Sequence, residues 1–422
     1  MNDLYLAARD GSVERTIAEL SRGLVDIDQG DDRKGYTPLM AAAINGHTRV
    51  VRVLLNKGAN VLKMDDDGLT ALHMSAGPGH QAVTKLVVKA GADLEAKSCT
   101  EGFTPLHSAA QNGHTGVMGI LIEAGANPNS RAVHGMTPLY RAALSRHVDV
   151  IKVLLRAKAD PLLACSDPSG NTFLPLDVAA QKGHWEVVHE LIHECGIRGC
   201  GGRSNGVQAL EMAARNQHAE IMGMLTGAGV VDTGTALRGA SASGRESSVK
   251  FLLQQQEWKA SGEGSDYLDN PSPLGATPLI CSIWTCRSCS PRITRLLVNA
   301  GADTTTAVRL VDRGVLLIDD TPLACANFRI REKKEDGEDA TEEQLHSLEA
   351  TRRLLMRVEA IHAVSWLWAS DAPSFTPAAT EGAGKTKAAP TPLTLILPIL
   401  RRRVQRPRVL LAALFRHSGK PY

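Results

Sequence analysis

The sequence predicts an all-α repeat fold, a solenoid of stacked helix-turn-helix units joined by hairpin-like finger loops. Three observations support this prediction. The stretch from Gly102 to Asn129 has the pattern of two short helices separated by a turn, and similar stretches open at Gly35, Gly68 and Gly135. The opening glycines are 33, 34 and 33 residues apart, which is a spacing typical of repeat architectures. Aromatic residues make up only 4% of the 422 residues, as expected for a core of small aliphatic side chains between thin helices.

Each part of the stretch GFTPLHSAAQNGHTGVMGILIEAGANPN has a structural explanation. The Thr104-Pro105 pair predicts a helix start, because the hydroxyl accepts from free backbone N–H groups and proline needs no donor at the first helical position. Gly113 supplies the left-handed turn that ends this first helix. After His114, apolar residues recur at a spacing of three to four, which predicts a second helix that Gly125 ends.

The motif G-x-T-P-L-H-x-A-A-x-x-G-H, followed by V-x-x-L-L-x-x-G-A-[DN], resembles the ankyrin repeat family. The resemblance implies an ankyrin-type α-solenoid in which the first helices and the finger loops line a concave face that binds other proteins. It also implies a structural role for a recurring set of histidines, which would tie the helix starts and loops of adjacent repeats by hydrogen bonds. These histidines are His47, His73, His80, His107, His114 and His184.

The pattern divides the chain into five regions. We predict a degenerate N-terminal capping repeat in residues 1–34 and four well-formed repeats in 35–169. Degenerate repeats with a long polar loop follow in 170–274, and irregular C-terminal repeats with a charged insertion and a cap helix in 275–369. Residues 370–422 are predicted to be a disordered tail with an arginine-rich segment. Lys158 stands where the other repeats have a stop glycine, so that helix end should be weaker. The charged insertion REKKEDGEDATEEQ is expected to be solvated and mobile.

Composition argues against several classes of function. A net charge of +2 provides no strong field over the molecule, so nucleic acid is not an expected partner. The start of the sequence lacks a basic segment followed by an apolar core, and no apolar run reaches the roughly 18 residues of a membrane-spanning helix. The eight cysteines form no disulfide framework. Together these features predict an intracellular protein, in the cytoplasm or, as an alternative, in the nucleus. We expect it to be a monomer.

The C-terminal tail offers one alternative function. Five arginines between Arg401 and Arg408 are flanked by short apolar runs, a pattern that membrane-surface segments share with solvated tails. A membrane-associated adaptor that uses this basic apolar tail is therefore the first alternative.

The segment ATEGAGKT, residues 379–386, matches only a relaxed phosphate-loop pattern. Because no strand precedes it and no helix follows it, we expect no nucleotide binding.

A literal H-E-x-x-H motif suggests the second alternative, a zinc-dependent hydrolase. His189, Glu190 and His193 form this motif, in which two histidines one helical turn apart hold zinc and the glutamate acts as a base. In the repeat register, however, both histidines should face solvent on an outer helix, whereas a catalytic zinc needs three protein ligands and a sheltered open position. We therefore expect no metal at this motif.

A cluster of cysteines is a further candidate metal site. Cys281, Cys286 and Cys289 include one C-x-x-C step, but they fall where a repeat needs small apolar residues. Free cysteine behaves as a small hydrophobic residue, so these thiols are predicted to be buried. No cofactor is expected, and the protein is predicted to have no enzymatic activity.

The finger loops carry the candidate partner-binding residues. One apolar residue follows each opening glycine, namely Tyr36, Leu69, Phe103 and Met136. The acidic residues Asp32, Asp66, Asp67 and Glu101 border them. This arrangement predicts a ridge suited to a partner segment with apolar anchors and basic flanks. A second interpretation is that the apolar side chains only pack finger against finger, and the sequence leaves both open.

These observations together predict a protein–protein interaction scaffold or adaptor that uses the concave face and finger loops of the repeat array. The sequence does not name the partner, since a fold does not specify a function.

Overall fold

In a computed structural model of the chain, residues 3–23, 25–31, 34–202, 205–255, 268–269, 271, 276–284, 290–304, 308–312, 315–335 and 342–370 are described. The chain divides into two compact units, Met1–Asn270 and Pro271–Tyr422. The described residues are predominantly helical, with strands only in two short hairpins, which confirms the predicted all-α repeat fold. None of the helices in these ranges is both long enough and apolar enough to cross a bilayer.

The first unit is a series of helix pairs. The inner helices are α1 (Asp3–Arg9), α3 (Pro38–Ile44), α5 (Ala71–Ala76), α7 (Pro105–Gln111), α9 (Pro138–Leu144), α11 (Pro175–Lys182), α13 (Val207–Asn216) and α15 (Thr235–Ala242). The outer helices are α2 (Val13–Ser21), α4 (Thr48–Asn56), α6 (Gln81–Lys89), α8 (Thr115–Glu123), α10 (Val148–Arg156), α12 (Trp185–Cys200), α14 (Ala219–Gly227) and α16 (Glu246–Gln254). Inner helices pack on one another in chain order, as a solenoid requires.

A buried leucine near the start of each inner helix from α3 onward forms the centre of the core. These residues are Leu39, Leu72, Leu106, Leu139, Leu176, Leu210 and Leu237. The predicted helix starts are also confirmed. The Thr37 hydroxyl accepts from the N–H of Met40 at 3.2 Å, and the Thr137 hydroxyl accepts from that of Tyr140 at 3.1 Å. The local threonine-proline signal therefore positions a leucine that only stacking can bury.

Histidines at the start of the outer helices tie each repeat to the one before it. Their Nε2 atoms donate to carbonyl oxygens of the preceding inner helix or its end, in the pairs His47–Arg9, His80–Ile44, His147–Gln111, His184–Leu144 and His218–Gln181, at 2.9 to 3.2 Å. The predicted structural role is thus confirmed for His47, His80 and His184. A side chain at Gly46 would lie 2.7 Å from the His80 ring, so this glycine is needed for close approach as well as for its φ of 75°.

The repeat after α10 differs from the regular ones. The strands β1 (Cys165–Ser166) and β2 (Thr172–Phe173) pair antiparallel and form the finger of the next repeat. Because Thr172 lies in β2, it cannot cap α11. Leu174 occupies the capping position instead, and its N–H donates to the Asp177 carboxylate at 2.8 Å. The outer helix α12 is interrupted at Gly196, whose φ is 66°.

The second unit contains four helices and one hairpin among its described residues. They are α17 (Pro278–Trp284), α18 (Pro291–Ala300), β3 (Val308–Asp312), β4 (Val315–Asp320), α19 (Pro322–Glu335) and α20 (Glu342–Ser370). The antiparallel pairing of β3 with β4 was not predicted from the sequence. The two ends of the charged insertion are helical, because residues 331–335 continue α19 and residues 342–344 begin α20, and its solvated, mobile character stays a prediction. Glu, Lys and Arg are good helix formers, so charge alone does not prevent a helix there.

Three predicted segments lie wholly or largely outside the described residues. They are the long polar loop before Gly275, residues 336–341 of the charged insertion, and the tail after Ser370 with its arginine-rich and phosphate-loop-like segments. Within the predicted polar loop, Leu268 is described and is buried.

Candidate functional site

The finger loops are closed by backbone hydrogen bonds and by the side chains that begin them. In the second loop, the Asp65 carboxylate accepts from the N–H groups of Asp67 and Leu69 at 3.0 and 2.7 Å. Asp31 has the same role in the first loop, where it accepts from the N–H of Tyr36 at 2.8 Å. Burial raises the pKa of Asp65 even though these N–H groups oppose the shift. These carboxylates hold the loops in shape.

Adjacent loops are joined edge to edge. The N–H groups of Asp66, Cys99 and Val133 donate to the carbonyl oxygens of Lys34, Asp67 and Glu101, at 3.0, 2.8 and 2.9 Å. The loops at residues 31–36, 65–69, 98–103 and 132–136 therefore form a continuous structure, which we call the finger row. A continuous row is expected to present one set of side chains per repeat in a regular order.

Two inner-helix histidines connect the helices to the finger row. Nε2 of His73 donates to the Phe103 carbonyl at 2.9 Å, and Nε2 of His107 donates to the Met136 carbonyl at 3.0 Å. A carbonyl can only accept, so the proton is on Nε2, and Nδ1 of His107 accepts from the Thr104 N–H at 3.3 Å. Burial lowers the pKa of both rings, that of His107 to about 4. Both histidines are therefore neutral structural links, as predicted.

The four predicted apolar residues are not equivalent. Tyr36, Leu69 and Met136 are half-buried, whereas Phe103 is only 7% exposed. The Phe103 ring stacks on the His107 ring with 5.4 Å between the centroids. At Phe103 the structure favours the packing interpretation. The partner-binding role of the other three residues remains a prediction.

The predicted acidic residues also differ among themselves. Asp66 and Glu101 are exposed. Asp67 is half-buried, and its carboxylate lies 3.4 Å from Nζ of Lys34, an ion pair that raises the pKa of that lysine. Asp32 lies outside the described residues. The acidic groups best placed for a partner are therefore Asp66 and Glu101.

Arg141 is a residue of this surface that the sequence interpretation missed. Its guanidinium carbon lies 4.8 Å from the centre of the Phe103 ring, at cation–π distance. Its Nε is buried and has no hydrogen-bond partner among the described residues. The sequence did contain a signal, because Arg141 is the one Lys, Arg, Asp or Glu residue within α3, α5, α7 and α9.

The H-E-x-x-H segment lies away from the finger row, on α12. His189 and His193 are both exposed, as predicted, and their rings stack with 6.1 Å between the centroids. Glu190 is buried, and its carboxylate lies 3.6 Å from Nζ of Lys152 in the preceding repeat. Potential ligand atoms of Glu190, His193 and Glu194 lie within 4.8 Å of one another. Because Glu190 is already paired with a lysine, its geometry fits a structural ion pair better than a general base.

The cysteine cluster is only partly described. Cys281 is buried, as predicted, whereas Cys286 and Cys289 lie outside the described residues.

Comparison with known proteins finds similarity in the N-terminal half of the chain. The family model described as ankyrin repeats, in three copies, matches residues 4–98 and 90–164. These matches contain the helix pairs from α1 to α10 and the whole finger row.

Several curated proteins share part of this region. A B-cell lymphoma 3 protein homolog of Mus musculus is 36% identical over 96 residues, which cover 23% of this chain and 21% of that protein. Ankyrin repeat and SOCS box protein 3 of Homo sapiens is 33% identical over 99 residues, 23% of this chain and 19% of that protein. Palmitoyltransferase AKR1 of Saccharomyces cerevisiae is 35% identical over 103 residues, 24% of this chain and 13% of that protein. The matched segment thus spans about a fifth or less of each relative's length.

Proposed function

Since this chain is an ankyrin repeat protein, we propose that it is a scaffold or adaptor whose finger row binds a segment of another protein. Ankyrin repeats generally mediate protein–protein interaction. The observation that carries the proposal is the hydrogen-bonded finger row, along which Leu69 and Met136 are half-buried and Asp66 and Glu101 are exposed. Apolar side chains bordered by charges suit a partner with apolar anchors and basic flanks.

We test this proposal with serine at two finger positions. Leu69→Ser together with Met136→Ser removes two apolar contacts of the finger row. Full-length tagged protein and this variant are compared by affinity purification and quantitative mass spectrometry. Proteins recovered with the unchanged chain should be lost with the variant, because apolar anchors near the centre of an interface carry most of its binding energy. The melting temperature should fall by no more than about 4 °C, since both side chains are already partly exposed.

A matched control makes the same chemical change away from the finger row. Leu62 and Leu162 follow outer helices and are 53% and 44% exposed. Leu62→Ser with Leu162→Ser should leave the recovered proteins unchanged. If both double variants lose the same proteins, or neither does, the finger row is not the binding surface.

We propose further that the protein has no catalytic activity. Ankyrin repeats are mainly non-catalytic, although one of the relatives is a palmitoyltransferase by name, and the similarity covers only 13% of that protein. The Glu190–Lys152 ion pair supports a structural role for the H-E-x-x-H segment. Zinc measured in the purified protein should be well below one ion per chain, and stoichiometric zinc lost in His189→Gln would contradict the proposal.

An intracellular location and a monomeric state are also part of the proposal. The absence of a disulfide among the described cysteines supports the location. Cell fractionation with quantification of free thiols tests the compartment, and light scattering after size exclusion tests the monomer. The alternative of membrane contact through the tail rests on residues after Ser370, which lie outside the described residues.

A further inference from the structure

Arg141 differs from its counterparts in the other regular repeats. The equivalent positions of the preceding inner helices hold Ala41, Met74 and Ser108, which are small or uncharged. A packing role alone therefore does not require arginine in this position. The side chain is half-buried and lies in α9, directly after the finger loop at residues 132–136.

The guanidinium of Arg141 has no carboxylate partner among the described residues. Some other arginines of the first unit do have one, as in the pairs Arg22–Glu19, Arg146–Glu186 and Arg215–Glu211. In addition, Nε of Arg141 is buried without a hydrogen-bond partner in the described ranges. A buried donor left unpaired is unfavourable, so the folded chain leaves this guanidinium short of an acceptor.

The surroundings hold this guanidinium in place. Phe103 lies under it at 4.8 Å, and the Phe103 ring is itself stacked on His107. His107 is fixed by hydrogen bonds to Thr104 and to the Met136 carbonyl. A planar guanidinium that is already oriented loses little entropy on binding, and it matches a carboxylate with two parallel hydrogen bonds.

Carboxylates and guanidinium groups lie on opposite sides of Phe103 along the finger row. The exposed acidic groups Asp66 and Glu101 belong to the second and third loops. On the other side of Phe103, the exposed Arg131 donates to the Ala164 carbonyl at 3.1 Å, and Arg141 lies in the next helix. A segment bound along the row therefore meets the carboxylates of Asp66 and Glu101 in the second and third loops, with the exposed Lys34 and Lys97 beside them, and the guanidinium groups of Arg131 and Arg141 beyond Phe103.

We infer that Arg141 binds the carboxylate of a glutamate or aspartate side chain in an extended segment of the partner protein. The segment would place this acid next to an apolar residue that contacts Met136, and basic residues towards Asp66 and Glu101. Arg141 is then the residue that determines the partner's sequence. The inference rests on the proposed function and goes beyond it by specifying an acidic residue at one position.

The test begins with a peptide selection. A phage library of random 12-residue peptides, fused so that no free C-terminal carboxylate is present, is selected in parallel on the full chain, on Arg141→Gln and on Arg49→Gln. Arg49 is exposed on the outer helix α4 and serves as a control for loss of one charge. Peptides selected on the full chain and on the control should share Glu or Asp at a fixed distance from an apolar residue. Peptides selected on Arg141→Gln should not share that acid.

Calorimetry then measures the pair directly. The best peptide is made with a C-terminal amide, alongside an analogue in which glutamine replaces the shared acid. The analogue should bind the full chain about 10-fold more weakly and bind Arg141→Gln as well as the acidic peptide does. If Arg141→Gln does not fold by circular dichroism, Arg141→Lys is used, and the acidic peptide should bind it about 3-fold more weakly because lysine lacks the planar fork.

Two results overturn the inference in distinguishable ways. If peptides bind and are lost with Leu69→Ser and Met136→Ser, yet the acid is not shared or does not depend on Arg141, the inference fails and the proposed function stands. If no selected peptide is affected by the finger variants or by Arg141→Gln, both fail.

Discussion

The regular repeats at residues 35–164 and the degenerate repeats at residues 170–254 share their outer helices and differ in their inner ones. In both regions the residue before the outer helix bonds to the preceding repeat, through His147 in the first region and through His184, His218 and Arg245 in the second. These contacts survive where the Thr-Pro-Leu-His motif does not. The outer-helix contact is therefore the more general link between repeats.

The contacts of the inner helices, in contrast, differ between the two regions. In two of the regular repeats, His73 and His107 reach across to the next finger loop. At the equivalent positions of the degenerate repeats stand Asp177, which accepts from the Leu174 N–H, and Glu211, which pairs with the Arg215 guanidinium, in each case within one repeat. The finger row should thus be rigid in the regular region, where the proposed partner binds, and less constrained beyond it.

The largest expected effect comes from removing one of these cross-repeat links. His107→Ala should lower the free energy of unfolding by about 3 kcal/mol, because it breaks several buried hydrogen bonds and leaves the Met136 carbonyl unpaired. Glu211→Ala should lower it by less than about 1 kcal/mol, because the Arg215 side chain that it releases is 46% exposed. Urea unfolding followed by circular dichroism measures both. Equal losses would show that the two inner-helix positions are equivalent after all.

His107 and Asp177, which occupy equivalent positions of α7 and α11, should give opposite responses to pH. Burial lowers the pKa of His107 from 6.5 to about 4, so the unfolded chain binds a proton there that the folded chain does not. Stability from this residue is complete above pH 6.5 and is lost as the pH falls towards 4. Burial raises the pKa of Asp177 from 3.8 to about 6, so in that window the folded chain holds the extra proton. Stability from Asp177 is complete below pH 3.8 and is lost as the pH rises through 6.

Asp177→Asn removes the pH dependence of stability that comes from Asp177 and leaves the one that comes from His107. Asparagine keeps an acceptor for the Leu174 N–H and removes the cost of a buried charge. We expect a gain of about 1–2 kcal/mol at pH 8 that disappears near pH 4. Asp149→Asn, at an exposed position on α10, is the control and should change stability little at either pH. A gain for Asp177→Asn that does not depend on pH would mean that burial of the charge is not its cause.

The smallest effect concerns the helix ends of the regular repeats. Lys158 has a φ of 64° where Gly125 of the preceding repeat has 100°. Lys158→Gly should raise stability by about 1 kcal/mol, since left-handed backbone is strained for residues other than glycine. Gly125→Ala should lower it by a similar amount, and the change is a backbone effect because nothing lies within 4 Å of the added carbon. Thermal melting of the two variants checks both signs, and shifts in the same direction would contradict this explanation.

The regular half of the fold could be predicted residue by residue because its signals are local. Threonine before proline starts a helix, glycine ends it, and apolar spacing marks the buried face, whatever the neighbouring repeats contain. Other elements depend on context, and the sequence did not determine them. At α11 the capping position holds Leu174, whose N–H donates to an acidic side chain three residues on, and in the charged insertion good helix formers extend α19.

Of the candidate site, the sequence determined the positions in the repeats and the tertiary structure decided how far each side chain is buried. The period placed Tyr36, Leu69, Phe103 and Met136 at the same point of four repeats, because backbone geometry repeats with the motif. Only stacking could decide that Phe103 is buried, since its burial depends on His107 in its own repeat and on Arg141 in the next. The lack of a hydrogen-bond partner for Nε of Arg141 among the described residues is likewise evident only in the folded structure. A missing partner is a property of the packed neighbourhood, and the sequence of one repeat does not contain it.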